Sequence, residues 1–247
     1  MESVDMNAAI ERNKVAPLGP RVAKRTASRA PGAAHATARA ALSPALVAAH
    51  DPAGAQAEAL RELRCQLILR WFSDCRTLAV ISARSRDGAD TVAANLAIVM
   101  AQLGEQTLLI DANLREPRQH QLFGLEPAVG LADLLQNRDV HDQALLPVPA
   151  VENLHVLCAG AVPANPQELV SRTPFIYLMK TLPERFGAVI VVAPPALQYA
   201  DAQIIAARAQ GCLLVTRRHR TRLADVERVK SQLEPSRAVL LGGVIQE

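Results

Sequence analysis

The chain has 247 residues, half of them hydrophobic, enough to bury one good core preceded by a less ordered segment. Its net charge of +3 lies entirely in residues 1–55, where seven Lys/Arg face four acids; the remainder balances 20 against 20, which argues against a nucleic-acid-binding face on the folded part. Only 3% of residues are aromatic, no apolar run approaches the ~20 residues of a spanning helix, and the mixed charges of MESVDMNAAIERNK are not a secretory signal, so stacking platforms, membrane spans and export are not expected.

Residues 1–54 are rich in Ala, Arg, Pro, Ser and Thr without sustained periodicity. They are expected as a disordered arm with at most a transient helix near Pro44 to His50, leaving 55–247 as one domain. From Gln56 to Trp71, apolar Leu60, Leu63, Leu67 and Trp71 fall at spacings of three and four, one face of an amphipathic helix. Glu58, Arg61 and Arg64 form a neighbouring stripe, either a solvated face with local ion pairs or an intersubunit contact. Four cysteines (Cys65, Cys75, Cys158, Cys212), far apart and without a CxxC pair, are expected as buried free thiols rather than a zinc or disulfide site.

The stretch 77–111 reads as a strand (Thr77 to Ser82), a polar loop, an apolar helix (Thr91 to Leu103) and a second strand (Thr107 to Asp111). That order is the frame of a P-loop, where the helix's first N–H groups face an anion. The signature GxxxxGK(S/T) is expected there, its Lys reaching the β/γ-phosphates and its hydroxyl holding Mg²⁺. Residues 83–90 read ARSRDGAD. Gly88 survives, but Ala89 stands at the lysine position and Asp90 at the hydroxyl position, with Thr91 next. Arg84 and Arg86 could hold an anion in place of the lysine. Alternatively, Asp87 or Asp90 fills the phosphate site with its own carboxylate. The second strand runs into Asp111, Asn113 and Arg115: one acid remains where Mg²⁺ or water would be positioned, and the second position is an amide.

GLADLLQ (130–136) reads as a short helix, NLHVLCAG (153–160) as a strand, and about 167–182 as a helix. AVIVVAPP (188–195) is a buried strand with Val192 where an acid would anchor a metal shell. Helix 200–210, strand 211–218, helix 221–233 and strand 238–245 complete an alternation that predicts an α/β fold, a mostly parallel sheet with helices on both faces.

From about Gln56 onward the chain resembles the bacterial tyrosine kinases of capsule and exopolysaccharide assembly, P-loop proteins related to the MinD/ParA ATPases. EALRELR matches that family's ExxRxxR; NLAIVMAQLGEQTLLIDANLREP, GLADLL, CAGAVPANPQELV and VIVVAPPALQYADA follow its text in order. The resemblance implies a ring contact through Glu58, Arg61 and Arg64. It also marks four departures from the catalytic set: Ala89 for Lys, Asp90 for Ser, Asn113 for the second Asp of DxD, and Val192 for the Asp of DTPP. Asp111, Arg115 and Thr91 are kept. The family's tyrosine-rich tail has no counterpart in GGVIQE, the tyrosines being Tyr177 and Tyr199.

Since phosphoryl transfer rests on positioning and charge cancellation, these departures imply a non-catalytic member without metal or cofactor. It would scaffold or regulate polysaccharide polymerisation and export from the cytoplasmic side of the inner membrane, docked on a membrane chain-length (co-polymerase) protein or an active kinase paralogue, and could form a homo-oligomer. The competing implication is an active tyrosine autokinase using ATP and Mg²⁺, with Arg84, Arg86, Gly88 and Thr91 binding the nucleotide. A third reading, a ParA/MinD-like positioning protein, is disfavoured by the neutral domain.

Overall fold

The computed structural model of the protein describes residues 42–136 and 141–247. The arm expected over residues 1–41 lies outside the described residues. Residues 42–54, also assigned to the arm, belong instead to the folded body. There, α1 (Val47–His50) is docked with Leu46, Ala48 and Ala49 at 1% exposure or less. Asn95 fixes this segment, its Nδ2 donating to Ala45 O and its Oδ1 accepting from Ala48 N, both at 2.9 Å. Gln102 Nε2 donates to Ala48 O at 2.9 Å. An Ala-rich tetrapeptide has no periodicity to betray such docking; its order comes from the helix beneath it.

The other expected elements form close to their places. α2 (Ala55–Leu67) continues as a π-turn over Ile68–Phe72 rather than as a plain helix to Trp71. The wider winding ends with Trp71 Nε1 donating to Thr77 O at 2.8 Å. The indole fills the space where a side chain on Gly211 would stand, 2.5 Å from its ring. β1 (Thr77–Ser82), α3 (Ala89–Gln102) and β2 (Thr107–Asp111) follow.

Next come α4 (Gln119–Phe123), α5 (Leu131–Leu135), α6 (His141–Ala144), β3 (Leu145–Pro147) and β4 (Leu154–Leu157). The single helix expected over 167–182 is two, α7 (Pro166–Ser171) and α8 (Thr173–Arg185). Arg172 is extended between them (φ −81°, ψ 161°). Pro174 then begins the second helix, where its missing N–H costs nothing. β5 (Ala188–Val192), α9 (Asp201–Ala209), β6 (Gly211–Arg217), α10 (Leu223–Leu233) and β7 (Val239–Gln246) complete the domain.

Seven strands form one sheet in the order β3-β4-β2-β5-β1-β6-β7, all parallel except β3. Successive strand residues point to opposite faces. Thus Ala79 and Ile81 of β1 pack in one core with α5, α7, α8 and α9, whereas Leu78 and Val80 pack in the other with α1 and α3. The predicted face of α2 closes this second core: Leu67 is buried, and Leu60, Leu63 and Trp71 pack against it partly exposed. Burial on both sides explains why the strands read as unbroken apolar runs.

The GLADLL phrase is held by main chain. Leu131 N donates to Cys158 O at 2.8 Å and Ala132 N to Ala159 O at 2.9 Å. Gly130 is required by this approach, because a Cβ there would lie 2.3 Å from Gly160 N and 2.4 Å from Cys158 O. The four cysteines are free; Cys158 and Cys212 are buried, but Cys65 is exposed, correcting the expectation that all would be buried.

Candidate functional site

At the carboxyl edge of the sheet, the loop after β1 turns into α3. Arg86 (φ 68°) and Gly88 (φ 101°), both left-handed, reverse the chain, and Gly88 is the N-cap of α3. The first turn of α3 borders a cleft, as the open amides at a helix start can, and the Asp90 amide there donates to the Asp90 carboxylate. The cleft has a volume of about 280 Å³; Ser82, Arg86, Gly88, Ala89, Asp90, Asn113, Glu116 and Arg118 are among its lining residues.

Of the two carboxylates expected to fill this cradle, Asp87 does something else. Asp87, fully buried, accepts from Arg84 N at 2.9 Å through Oδ2, and its Oδ1 has no partner among the described residues. Asp87 therefore braces the loop from inside, and the N-cap, Gly88, has no side chain to cap α3; of the two candidate carboxylates, only that of Asp90 takes an amide of the first turn, its own. Asp90 does line the cleft. Burial pushes its carboxyl above the usual range, opposed by the charge of Arg118.

The two arginines proposed as a substitute for the lysine part company. Arg86 lines the cleft and is exposed. Arg84 turns away and binds Asp225 through two bonds, Nε to Oδ2 at 2.9 Å and a terminal nitrogen to Oδ1 at 2.8 Å. The bidentate pair raises the Arg84 pKa and holds the Asp225 carboxyl below its ordinary value. Arg84 is thus withdrawn from the candidate anion site. Arg115 is engaged likewise, with Nε donating to Asp201 Oδ2 at 2.9 Å and its guanidinium 4.2 Å from the centre of the Tyr199 ring. Thr91 is not among the cleft's lining residues.

Asp111 is completely buried and is used up by backbone. Oδ1 accepts from Asn113 N at 3.2 Å, and Oδ2 accepts from Arg118 N and Gln119 N, both at 2.9 Å. Desolvation nevertheless dominates, pushing its pKa up to about 7, with the nearby charge of Asp90 adding to the rise against those three bonds. Its oxygens thus organise the turn into α4 instead of facing a cation. Asn113 closes a small ring with Glu116, Nδ2 to Glu116 O at 3.0 Å and Glu116 N to Oδ1 at 3.2 Å. Val192 is wholly buried in the core beside α3 and offers only its carbonyl, to Ala112 N at 2.9 Å. Among the described residues, no group of three or more His, Cys, Asp or Glu is arranged to hold a metal ion.

Sequence reading missed Arg118 and Glu116, which face the cleft from the β2–α4 connection. REPRQH gives no periodic signal; the backbone bonds to Asp111 and a bond from Gln119 Nε2 to Asp90 O at 3.2 Å carry the segment to the loop. The stripe on α2 is engaged within the chain. Arg61 pairs with Glu58 and donates to Pro52 O at 2.7 Å, while Arg64 donates to Val99 O at 2.7 Å.

No protein-family model matches the chain. Its sequence is 30% identical over 200 residues to the putative tyrosine-protein kinase CapB of Staphylococcus aureus, covering 80% of this chain and 87% of that protein. The chain belongs to the bacterial tyrosine-protein kinase family. The solved kinase domain of the Escherichia coli tyrosine kinase ETK superposes with a TM-score of 0.76 at 27% identity, covering 81% of this chain and 79% of that one. The septum site-determining protein MinD of Pyrococcus horikoshii shares the fold at a TM-score of 0.59 and 22% identity, covering 69% of this chain and 70% of that one. In this chain the turn into α3 carries Ala89 and Asp90 after Gly88. Among the described residues, no helix is long and apolar enough to cross a membrane.

Proposed function

We propose that this protein is a non-catalytic member of the family, a scaffold or regulator of capsule or exopolysaccharide polymerisation and export. The observation that carries the proposal is the lining of the cleft: Ala89 and the carboxylates of Asp90 and Glu116 stand where a phosphate chain and its metal would need cations and a hydroxyl. A phosphate approaching the amides of α3 would meet Asp90, and two arginines able to offset that charge are bound to Asp225 and Asp201. On this reading, the protein acts through contacts with a membrane chain-length protein, with an active kinase paralogue or with further copies of itself; its membrane association would be indirect, and nucleic acid is not a ligand.

The second reading, an ATP-dependent tyrosine autokinase with an unconventional site, draws on Arg86 and Arg118, which line the cleft and could act on an anion there. Phosphate incorporation from labelled ATP separates the two. The non-catalytic reading expects none in the wild type and recovery in A89K/D90S/N113D/V192D. Incorporation by the wild type, lost in R86A/R118A, would establish the second.

A further inference from the structure

The two edges of the sheet are finished differently. β3 is three residues long, antiparallel and ends in Pro147, which cannot donate to another strand. Such an edge resists further pairing. β7 has eight residues, VLLGGVIQ, with neither proline nor charge. It pairs with β6 on one side, and no described strand adjoins the other. One register shift near Leu241 is its single irregularity. A long apolar edge of this kind is what soluble proteins normally blunt.

The carboxyl end of β7 lies beside a concentrated positive charge. Residues 217–222 read RRHRTR, and this turn is tied to the strand by Arg218 N donating to Gln246 O at 2.8 Å. It is ordered by its own bonds, Thr221 N to Arg217 O and Arg217 N to Thr221 Oγ1. Two of its guanidinium groups donate to P-loop carbonyls, Arg217 to Arg86 O and Arg220 to Ser85 O, which leaves their charges uncancelled. Among the described residues, Arg218 is the member of the turn with a carboxylate within ion-pair distance, Glu247 at 3.5 Å, while the charge of Arg222 acts on Asp225 from farther away. Exposed apolar side chains adjoin the turn on both sides: Ile245, opposite Thr216 in the ladder, is 71% exposed, and Leu223, next after the turn, is 74% exposed.

We propose that β7 and the arginine turn together are a docking site for an extended acidic segment of a partner protein, added as an eighth strand. The free edge supplies main-chain donors and acceptors, Ile245 and Leu223 supply apolar contact, and the arginines select the charge. A second copy of this chain fits less well. Antiparallel pairing of two β7 strands would bring each arginine turn beside the other strand's start, next to Arg237, placing like charges together. The arginine turn touches the P-loop through the Ser85 and Arg86 carbonyls, but docking uses the β7 edge and the arginine charges and requires no ligand in the cleft.

The test uses the full chain and a fluorescein-labelled seven-residue peptide of alternating Glu and Val. Anisotropy should show saturable binding that weakens as salt is added. It should weaken at least about tenfold for the same peptide N-methylated at alternate residues, which keeps the charge and removes strand donors, and about tenfold for R218E, whose arginine makes no bond to the P-loop among the described residues. Amide exchange in β7 should slow on binding. Absence of saturation would overturn the proposal, as would equal binding of the N-methylated peptide, which would reduce the surface to an anion patch. So would light scattering showing a dimer whose β7 amides are already protected without peptide.

Discussion

Asp111 illustrates how a single residue can keep its identity and change its task. Its carboxyl takes three backbone N–H groups in a fully buried place, and desolvation raises its pKa to about 7 from an ordinary value of 3.8. A folded-state pKa above the unfolded one means that folding takes up a proton. The stability this group contributes is present in full below about pH 3.8, declines above it, and is lost as pH rises through about 7. D111N should flatten that part of a stability-against-pH profile from urea unfolding, at a cost of about 1 kcal/mol because the amide oxygen keeps the bonds from Arg118 and Gln119 and forfeits that from Asn113. An unchanged slope in the variant would mean Asp111 is ionised throughout. The cysteines make a second residue-level test. Burial pushes the thiols of Cys158 and Cys212 up to about 12, so iodoacetamide at neutral pH should label exposed Cys65 and leave those two intact.

Among the elements, α3 organises the most neighbours: α1 lies on it, α2 packs against it, and its first turn bounds the cleft. Leu46, wholly buried, joins α1 to that core. Leu46→Ala should cost about 2–4 kcal/mol in denaturant unfolding, as for other core leucines; a cost near zero would show that the segment contributes nothing to the domain's stability. Arg64→Ala should cost more than Arg61→Ala, because Arg64 satisfies the Val99 carbonyl left open at the end of α3, whereas Arg61 forms a local surface pair worth under about 1 kcal/mol. Should both substitutions leave stability unchanged but alter the mass measured by light scattering, the stripe would belong to an intersubunit contact.

The elements also show what was legible in the chain. β1 and β2 have the bounds read from their apolar runs, and the alternation of strand and helix was enough for a parallel sheet covered on both faces. Features set by tertiary contact were not visible in this way. α1 has no period of its own, the break at Arg172 depends on where Pro174 falls within an otherwise helical pattern, and β3 is too short to read. At the site, spacing alone put Ala89 and Asp90 where a lysine and a hydroxyl were expected. The diversion of Arg84 to Asp225, 141 residues away, has no sequence signal, nor does Asp87 bracing the loop instead of capping the helix.

Taken whole, the molecule is a family fold, and under the proposed function its cradle keeps the backbone turn without the charges that bind phosphate. That description is tested by the unfolding midpoint of the full chain with and without millimolar Mg-ATP. A ligand at 100 times its dissociation constant would add about 2.7 kcal/mol of stability, several degrees for a chain of this size. The cleft lined by Ala89, Asp90 and Glu116 predicts no shift in the wild type. A saturable rise of several degrees, abolished by R86A/R118A, would contradict it and make the cleft a working nucleotide site.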